Sequence, residues 1–336
     1  LDRNSRILVA AGRARIRSGR ARPGIEALFE VAGRDHRVAT ASDLGFIVGP
    51  RINAAGRLDD MSIGIECLLA ESCVAARERA QTLHQLNRER RDIEQSMQQD
   101  AIVQLETLDL SADALPFAMT LYDPTWHQGV IGILASRIRE RTHRPTVVFA
   151  QAGDGWLKGS GRSIPGIHLR DMLDQVATQY PGLLSKFGGH AMAAGLSLAE
   201  EHLDDFQQAL NDVVATILNQ QPPQRIQDSD GVLQAAELTL TVAEQVTDAG
   251  PWGQQFPEPL FDGAFSVKHH RIVGEKHLKL SLEIEGTELD AIAFNIDVEG
   301  WLGEPLERIG ALYRLGINDY RGDRSPQLVI DSFWAL

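Results

Sequence analysis

Residues 71–108 contain neither glycine nor proline. Within them Leu83, Leu86, Ile93, Met97, Ala101, Leu105 and Leu108 recur at spacings near three and four, with one gap at Arg90. That is the period of a helix with one buried stripe. At ~1.5 Å per residue it would span roughly 57 Å. A single helix of that length outgrows a small domain and is expected to connect two. Its other face, with Arg77, Glu78, Arg88, Glu89, Arg91 and Asp92, carries the mixed charges of a solvated surface. The chain length of 336 residues agrees with two or three domains.

The flanks of this helix read differently. Ahead of it, 4–17 and 23–32 are predicted helices, with Arg13, Arg15, Arg17, Arg20 and Arg22 clustered where they meet. The cluster is either a solvated helix end or a phosphate-contacting patch. A third helix near 40–48 is predicted to stop at Gly49-Pro50, a strong breaker pair. Behind the long helix, strands at 117–122, 145–150 and 156–161 alternate with helices at 130–141, 168–180 and 200–218. That alternation predicts an α/β domain. The polar run 219–224 reads as a linker. A short helix at 234–248 and five strands follow, near 261–273, 277–285, 288–296, 307–319 and 326–334. Five strands in so short a stretch point to a small barrel, with an OB-fold as the leading candidate.

No stretch approaches the ~20 apolar residues a membrane helix needs, and no apolar leader follows Leu1. The chain opens without Met, so a piece of a longer chain is expected. Cys67 and Cys73 cannot make a disulfide framework or a four-thiolate zinc site; small buried hydrophobes in a reducing cytoplasm fit them. The net charge of -13 argues, taken whole, against a nucleic-acid partner. Residues 1–57, however, hold 11 basic against 5 acidic side chains, or +6, and the remainder carries -19. The charge must therefore be read locally.

Three segments could carry chemistry. Gly49–Arg57 (GPRINAAGR) sets Arg51 and Arg57 among small residues. Arginine's planar fork suits phosphate, but a helix C-cap bound to carbonyls is equally open. Lys158–Ser163 (KGSGRS) has the composition of an anion cradle at a strand end, with backbone N–H groups free, or else of a plain Gly/Ser turn. It lacks the Walker A order. Phe187–Gly195 (FGGHAMAAG) exposes His190 behind paired glycines at an expected helix start, and His127 has a similar setting in WHQG. Asp59-Asp60 reads as a helix cap, and no set of metal ligands can be assembled.

The blocks GPRINAAGRL (49–58), WHQGVIGILASRI (126–138), LKGSGRS (157–163), KFGGHAMAAGLSL (186–198) and GPWGQQFPEPLF (250–261) closely resemble the RecJ single-strand-specific exonuclease family of the DHH phosphoesterase superfamily. The resemblance implies an α/β and β multidomain fold. Residues 1–70 would be the last part of a DHH domain, 71–110 a connecting helix, 111–221 a DHH-associated domain, and 222–336 a linker with a five-stranded OB-fold. It implies 5′→3′ hydrolysis of single-stranded DNA in recombination and repair. The required Mn2+ or Mg2+ would be held upstream, with no metal ligand in this chain, so that the chain alone would not cut. Arg51, Asn53 and Arg57 are expected at a terminal phosphate. Ser160, Arg162, Ser163 and His127 would lie on the strand, and Gly188, Gly189 and His190 at the catalytic cleft, with His190 catalytic. On the barrel Lys268, His270, Arg271, Lys276, Lys279, Tyr320, Arg321 and Arg324 are expected contacts. The expected partners are single-stranded DNA, a helicase and a single-strand-binding protein, for a cytoplasmic monomer that touches no membrane. Two alternatives stand beside this: a pure single-strand-binding module, and a superfamily phosphoesterase acting on short oligonucleotides.

Overall fold

The computed structural model describes residues 2–336 apart from 107–114, 254, 275–276, 295, 297–306 and 321–322, and of 105, 106 and 320 the backbone alone. The helices are α1 (Arg3–Arg17), α2 (Pro23–Val31), α3 (Ala41–Asp43), α4 (Gly49–Leu58), α5 (Ser62–Leu69), α6 (Cys73–Glu106), α7 (Ile131–Thr142), α8 (Leu169–Gln179), α9 (Leu203–Ile217) and α10 (Leu240–Ala249). The strands are β1 (Met119–Tyr122), β2 (Thr146–Gly153), β3 (Trp156–Arg162), β4 (Lys186–Gly189), β5 (Ala193–Ala199), β6 (Phe261–Val273), β7 (His277–Ile284), β8 (Thr287–Ala293), β9 (Arg308–Tyr320) and β10 (Asp323–Ala335). Two compact units result. One gathers Leu1–Arg20, Arg37–Ser42 and Ile226–Leu336; the other holds Ala21–His36 and Asp43–Arg225.

In the second unit the long stretch without glycine or proline folds as α6, 34 residues and roughly 51 Å long. Ala76, Ala80 and Leu83 are fully buried in its first half, where α2, α4 and α5 pack. Met97 and Ala101 are buried in its second half, against α7 and the sheet. The polar gap in its stripe is explained: Arg90 pairs with Glu94 at 2.8 Å, and Glu94 also takes Arg137 of α7 at 3.4 Å.

The five-stranded sheet has the order β1-β2-β3-β5-β4. Of its four pairs, β1–β2 alone is parallel. Because strand side chains alternate between faces, the sheet presents two surfaces. One, with Val147, Phe149, Leu157, Leu196 and Leu198, packs on α8 and α9. The other carries Met119, Leu121, Val148 and Ala150 under α6 and α7.

The barrel closes in the order β10-β8-β7-β6-β9, with β10 parallel to β8 and antiparallel to β9. This is the five-stranded closed arrangement expected of an OB-fold. Leu278, Leu280 and Leu282 alternate inward along β7; burying each contributes about 1.5–3 kcal/mol.

Three local expectations need correction. Gly49-Pro50 does not end a helix. A π turn at Leu44–Val48 runs straight into α4, with Pro50 near its start, so the break in the hydrogen-bond ladder that proline forces falls at the join. KGSGRS does not offer the free N–H groups of an anion cradle: Lys158–Arg162 lie within β3, the strand predicted at 156–161, paired on both sides by β2 and β5, so their N–H groups serve the ladders. The residues after His190 begin no helix: they form β5, hairpin-paired to β4. In each case tertiary pairing overrode the local preference of small residues.

Candidate phosphate-binding site

Residues six apart on a helix point about 120° from one another. In α4, therefore, Arg51 and Arg57 cannot serve one ligand. Arg51 is 7% exposed. Its Nη1 donates to the Ile47 carbonyl at 2.7 Å and its Nε to His84 Nδ1 at 3.2 Å. Burial first, and Arg91 next, pushes its pKa down. His84 is likewise held below the usual histidine range by burial, then by Arg51, Arg88 and Arg91. Arg51 thus ties α4 to α6, with its Nε and one Nη1 donor spent inside the protein. Asn53, exposed, lies four residues before Arg57, on the same face of α4.

Arg57 turns the other way. Its Nη1 donates to the Gly129 carbonyl at 3.0 Å, just ahead of α7. The approach is close: a Cβ at Gly129 would stand 2.2 Å from the Arg57 carbonyl oxygen. His127 Nδ1 accepts the Gly129 N–H at 3.0 Å, so the neutral ring carries its proton on Nε2. One turn further, a Cβ at Gly132 would stand 2.8 Å from Arg162 Nη2 and 2.9 Å from Ser160 Oγ. Glycines at 129 and 132 thus let α4, α7 and β3 converge.

On β3, Ser160 and Arg162 share a face, and Arg162 Nη1 donates to Ser160 Oγ at 3.1 Å and to the Gly161 carbonyl at 2.7 Å. Burial, then Arg57, then Arg139 push the Arg162 pKa down. Arg90 is lowered by burial, then by Arg91 and Arg57, with Glu94 opposing. A guanidinium stays charged regardless. Arg57 and Arg162 thus meet beside the N-terminus of α7, while Arg139, in the last turn of α7 and paired with Glu140 at 3.1 Å, adds to the positive field at Arg162; an anion bound between the first two would relieve their repulsion.

The other expected residues are placed as follows. Ser163 is fully buried and its hydroxyl donates to the Ile167 carbonyl at 2.7 Å, so it staples a turn and has no hydroxyl to offer a phosphate. Gly188 and Gly189 end β4, and His190 sits exposed at the hairpin tip, its N–H bonded to Ala193. On the barrel, Lys268 is paired with Glu283, Lys279 with Asp290 at 3.1 Å, and Arg324 with Glu244 at 2.8 Å. His270 and Arg271 are exposed. Lys276, Arg321 and the Tyr320 side chain lie outside the described residues. Sequence reasoning missed Gly132; its signal was its place in the WHQGVIG run, one turn after the glycine of WHQG. Among the described residues no three His, Cys, Asp or Glu side chains gather as a metal site. A divalent ion of the kind the resemblance implies therefore finds no fitting ligand set there. No helix among them is long and apolar enough to cross a membrane.

Comparison with known proteins agrees with the fold. The DHHA1 domain family matches residues 115–216, and the RecJ OB domain family matches residues 229–332. Single-stranded-DNA-specific exonucleases RecJ from Dickeya dadantii and from Escherichia coli are each 53% identical over 338 aligned residues, covering 100% of this chain. The chain spans 59% of the length of these relatives. The crystal structure of RecJ with Mn2+ from Thermus thermophilus superposes with a TM-score of 0.78 at 29% identity, covering 98% of this chain and 46% of that one.

Proposed function

We propose, from the premise that this chain belongs to the RecJ family, that it is the strand-holding part of a 5′→3′ single-strand-specific DNA exonuclease of recombination and repair. One observation carries the reading: Arg57, Ser160 and Arg162 converge at the head of α7 with no acidic partner among the described residues. A terminal phosphate is doubly charged near neutral pH and has oxygens to fill such a fork. Asn53 and His127 flank it. His190, on an exposed hairpin tip, would donate to the strand near the scissile bond. In this reading the hydrolytic Mn2+ or Mg2+ is held by residues outside this chain, and this chain alone grips DNA in the cytoplasm, as a monomer, without cutting. A helicase and a single-strand-binding protein would supply its substrate. The division at 70, 110 and 221 into DHH remnant, connector, DHH-associated domain and OB region belongs to the same proposal.

The test is the affinity of the whole chain for 5′-phosphorylated against 5′-hydroxyl oligonucleotides. Arg57→Ala should erase the preference for the phosphate, a loss of about tenfold for one charge-assisted contact. Arg51→Ala should leave that ratio alone and instead lower the melting temperature, because it strips a buried link between α4 and α6. A preference that survives Arg57→Ala and vanishes with Arg51→Ala would reverse the assignment.

A further inference from the structure

The sheet carries two kinds of glycine. Gly159 and Gly161 face the core: a Cβ at 159 would stand 2.6 Å from a Phe149 ring carbon, and one at 161 would stand 3.0 Å from Leu169. Gly188 and Gly195 have no such reason. A Cβ at 188 would meet nothing within 4 Å, and one at 195 would meet only the Gly159 carbonyl oxygen at 3.9 Å. They sit opposite one another, and Gly195 also sits opposite Ser160. Glycine inside a strand weakens it and marks a place where something approaches the backbone closely. Here nothing within the described chain does, since both are exposed.

One step along the same face lies a second row. Ser197 pairs with Lys158 on one side and Lys186 on the other. Both lysines are exposed and neither has an ion pair among the described residues. Arg162, Ser160 and Lys158 alternate along one face of β3, so the row continues the phosphate site; from Arg162 to Lys158 is roughly 14 Å. Beyond it, Asp154 and Glu200 bring negative charge near the exposed Trp156, which limits how far a polyanion can follow β3.

We propose that this open half of the sheet is a track for the sugar–phosphate backbone of the strand whose end is held at Arg57, Ser160 and Arg162. Lys158, Ser197 and Lys186 form its second phosphate station, and Gly188 and Gly195 keep the floor between the stations flat. The proposal rests on the strand-holding reading above. The occupant is a polyanion because the walls are cationic, and a single strand because it is the continuation of the strand held at Arg57, Ser160 and Arg162.

The experiment measures binding of 5′-phosphorylated and 5′-hydroxyl oligo(dT) to the whole chain over a range of salt. Lys158→Ala/Lys186→Ala should weaken both oligonucleotides about equally, roughly tenfold at low salt. It should also flatten the salt slope by about 0.7, the share of the one phosphate station lost. Gly195→Val adds a β-branched residue to a strand with open space above it. It should therefore keep or raise the thermal midpoint while lowering affinity, a pairing that a purely structural glycine would not produce. Wild-type protein that selects the 5′ phosphate while both variants bind normally would overturn the track alone. Wild-type protein that binds no single strand would overturn the track and the strand-holding reading together.

Discussion

Cations on the α/β sheet and cations on the barrel have opposite surroundings. Around the sheet, Arg57 and Arg162 donate to carbonyls and to Ser160, and Lys158 and Lys186 have no acid among the described residues. On the barrel, Lys268, Lys279, Arg314 and Arg324 each face a carboxylate. A phosphate approaching these four barrel side chains must displace an intramolecular anion, whereas the site proposed at Arg57 and Arg162 holds no acid to displace among the described residues. The net charge of -13 is thus no guide to where a polyanion binds. What decides is which cations the chain leaves without a partner.

The largest expected effect tests this difference directly. Arg57→Ala/Arg162→Ala should cost about a hundredfold in affinity for a 5′-phosphorylated single strand, two charge-assisted contacts at roughly tenfold each. Lys268→Ala/Lys279→Ala should cost less than about threefold, because exposed pairs already satisfied internally hold little in reserve. Equal losses in a titration of both double variants would erase the distinction between the two regions.

A smaller effect should come from freeing the barrel lysines. Glu283→Gln/Asp290→Asn removes their partners while keeping side-chain shape. Hydrogen bonding and charge from Glu283 hold the Lys268 pKa above its ordinary value, and Lys268 holds Glu283 below its own. Without the carboxylates the lysines remain cations near neutral pH and become available. Affinity for single strands should rise a few-fold, with a steeper salt dependence and little change in melting temperature. No gain would show that the barrel face is not on the path of the strand.

Much of this was legible in the sequence, and the failures have a common cause. The long helix, the α/β alternation and the five strands were readable because periodicity reports burial, and burial set them. The proposed phosphate site was half readable. Arg57, Ser160 and Arg162 stand out by type, yet the sequence does not tell that Gly49–Leu58 is helical throughout or that the N–H groups of Lys158–Arg162 are spent in strand ladders. Small residues there serve close packing between elements, at Gly129, Gly132 and Gly159, and packing partners distant in sequence leave no local signature. Arg51 and Ser163 have partners that the sequence does not announce, for the same reason. Each is the right residue type for phosphate, and each spends a donor on an internal bond.

The smallest effect tests whether crowded positive charge in the sheet-bearing unit is felt away from the ligand. His84 on α6 lies among Arg51, Arg88 and Arg91, and burial and these arginines lower its pKa. In the unfolded chain it titrates near 6.5. As pH falls below that value the unfolded form takes up a proton that the folded form resists, so stability should decline between about pH 6.5 and 5. His143, also lowered chiefly by burial, acts in the same direction. His84→Gln should therefore make the decline shallower without abolishing it, as read from urea midpoints across that range. High salt should have a similar partial effect on the wild type, because it screens the arginine contribution but not the burial. A slope unchanged by both treatments would mean that the arginines around His84 are neutralised, and that the contrast between sheet and barrel stops at the phosphate site.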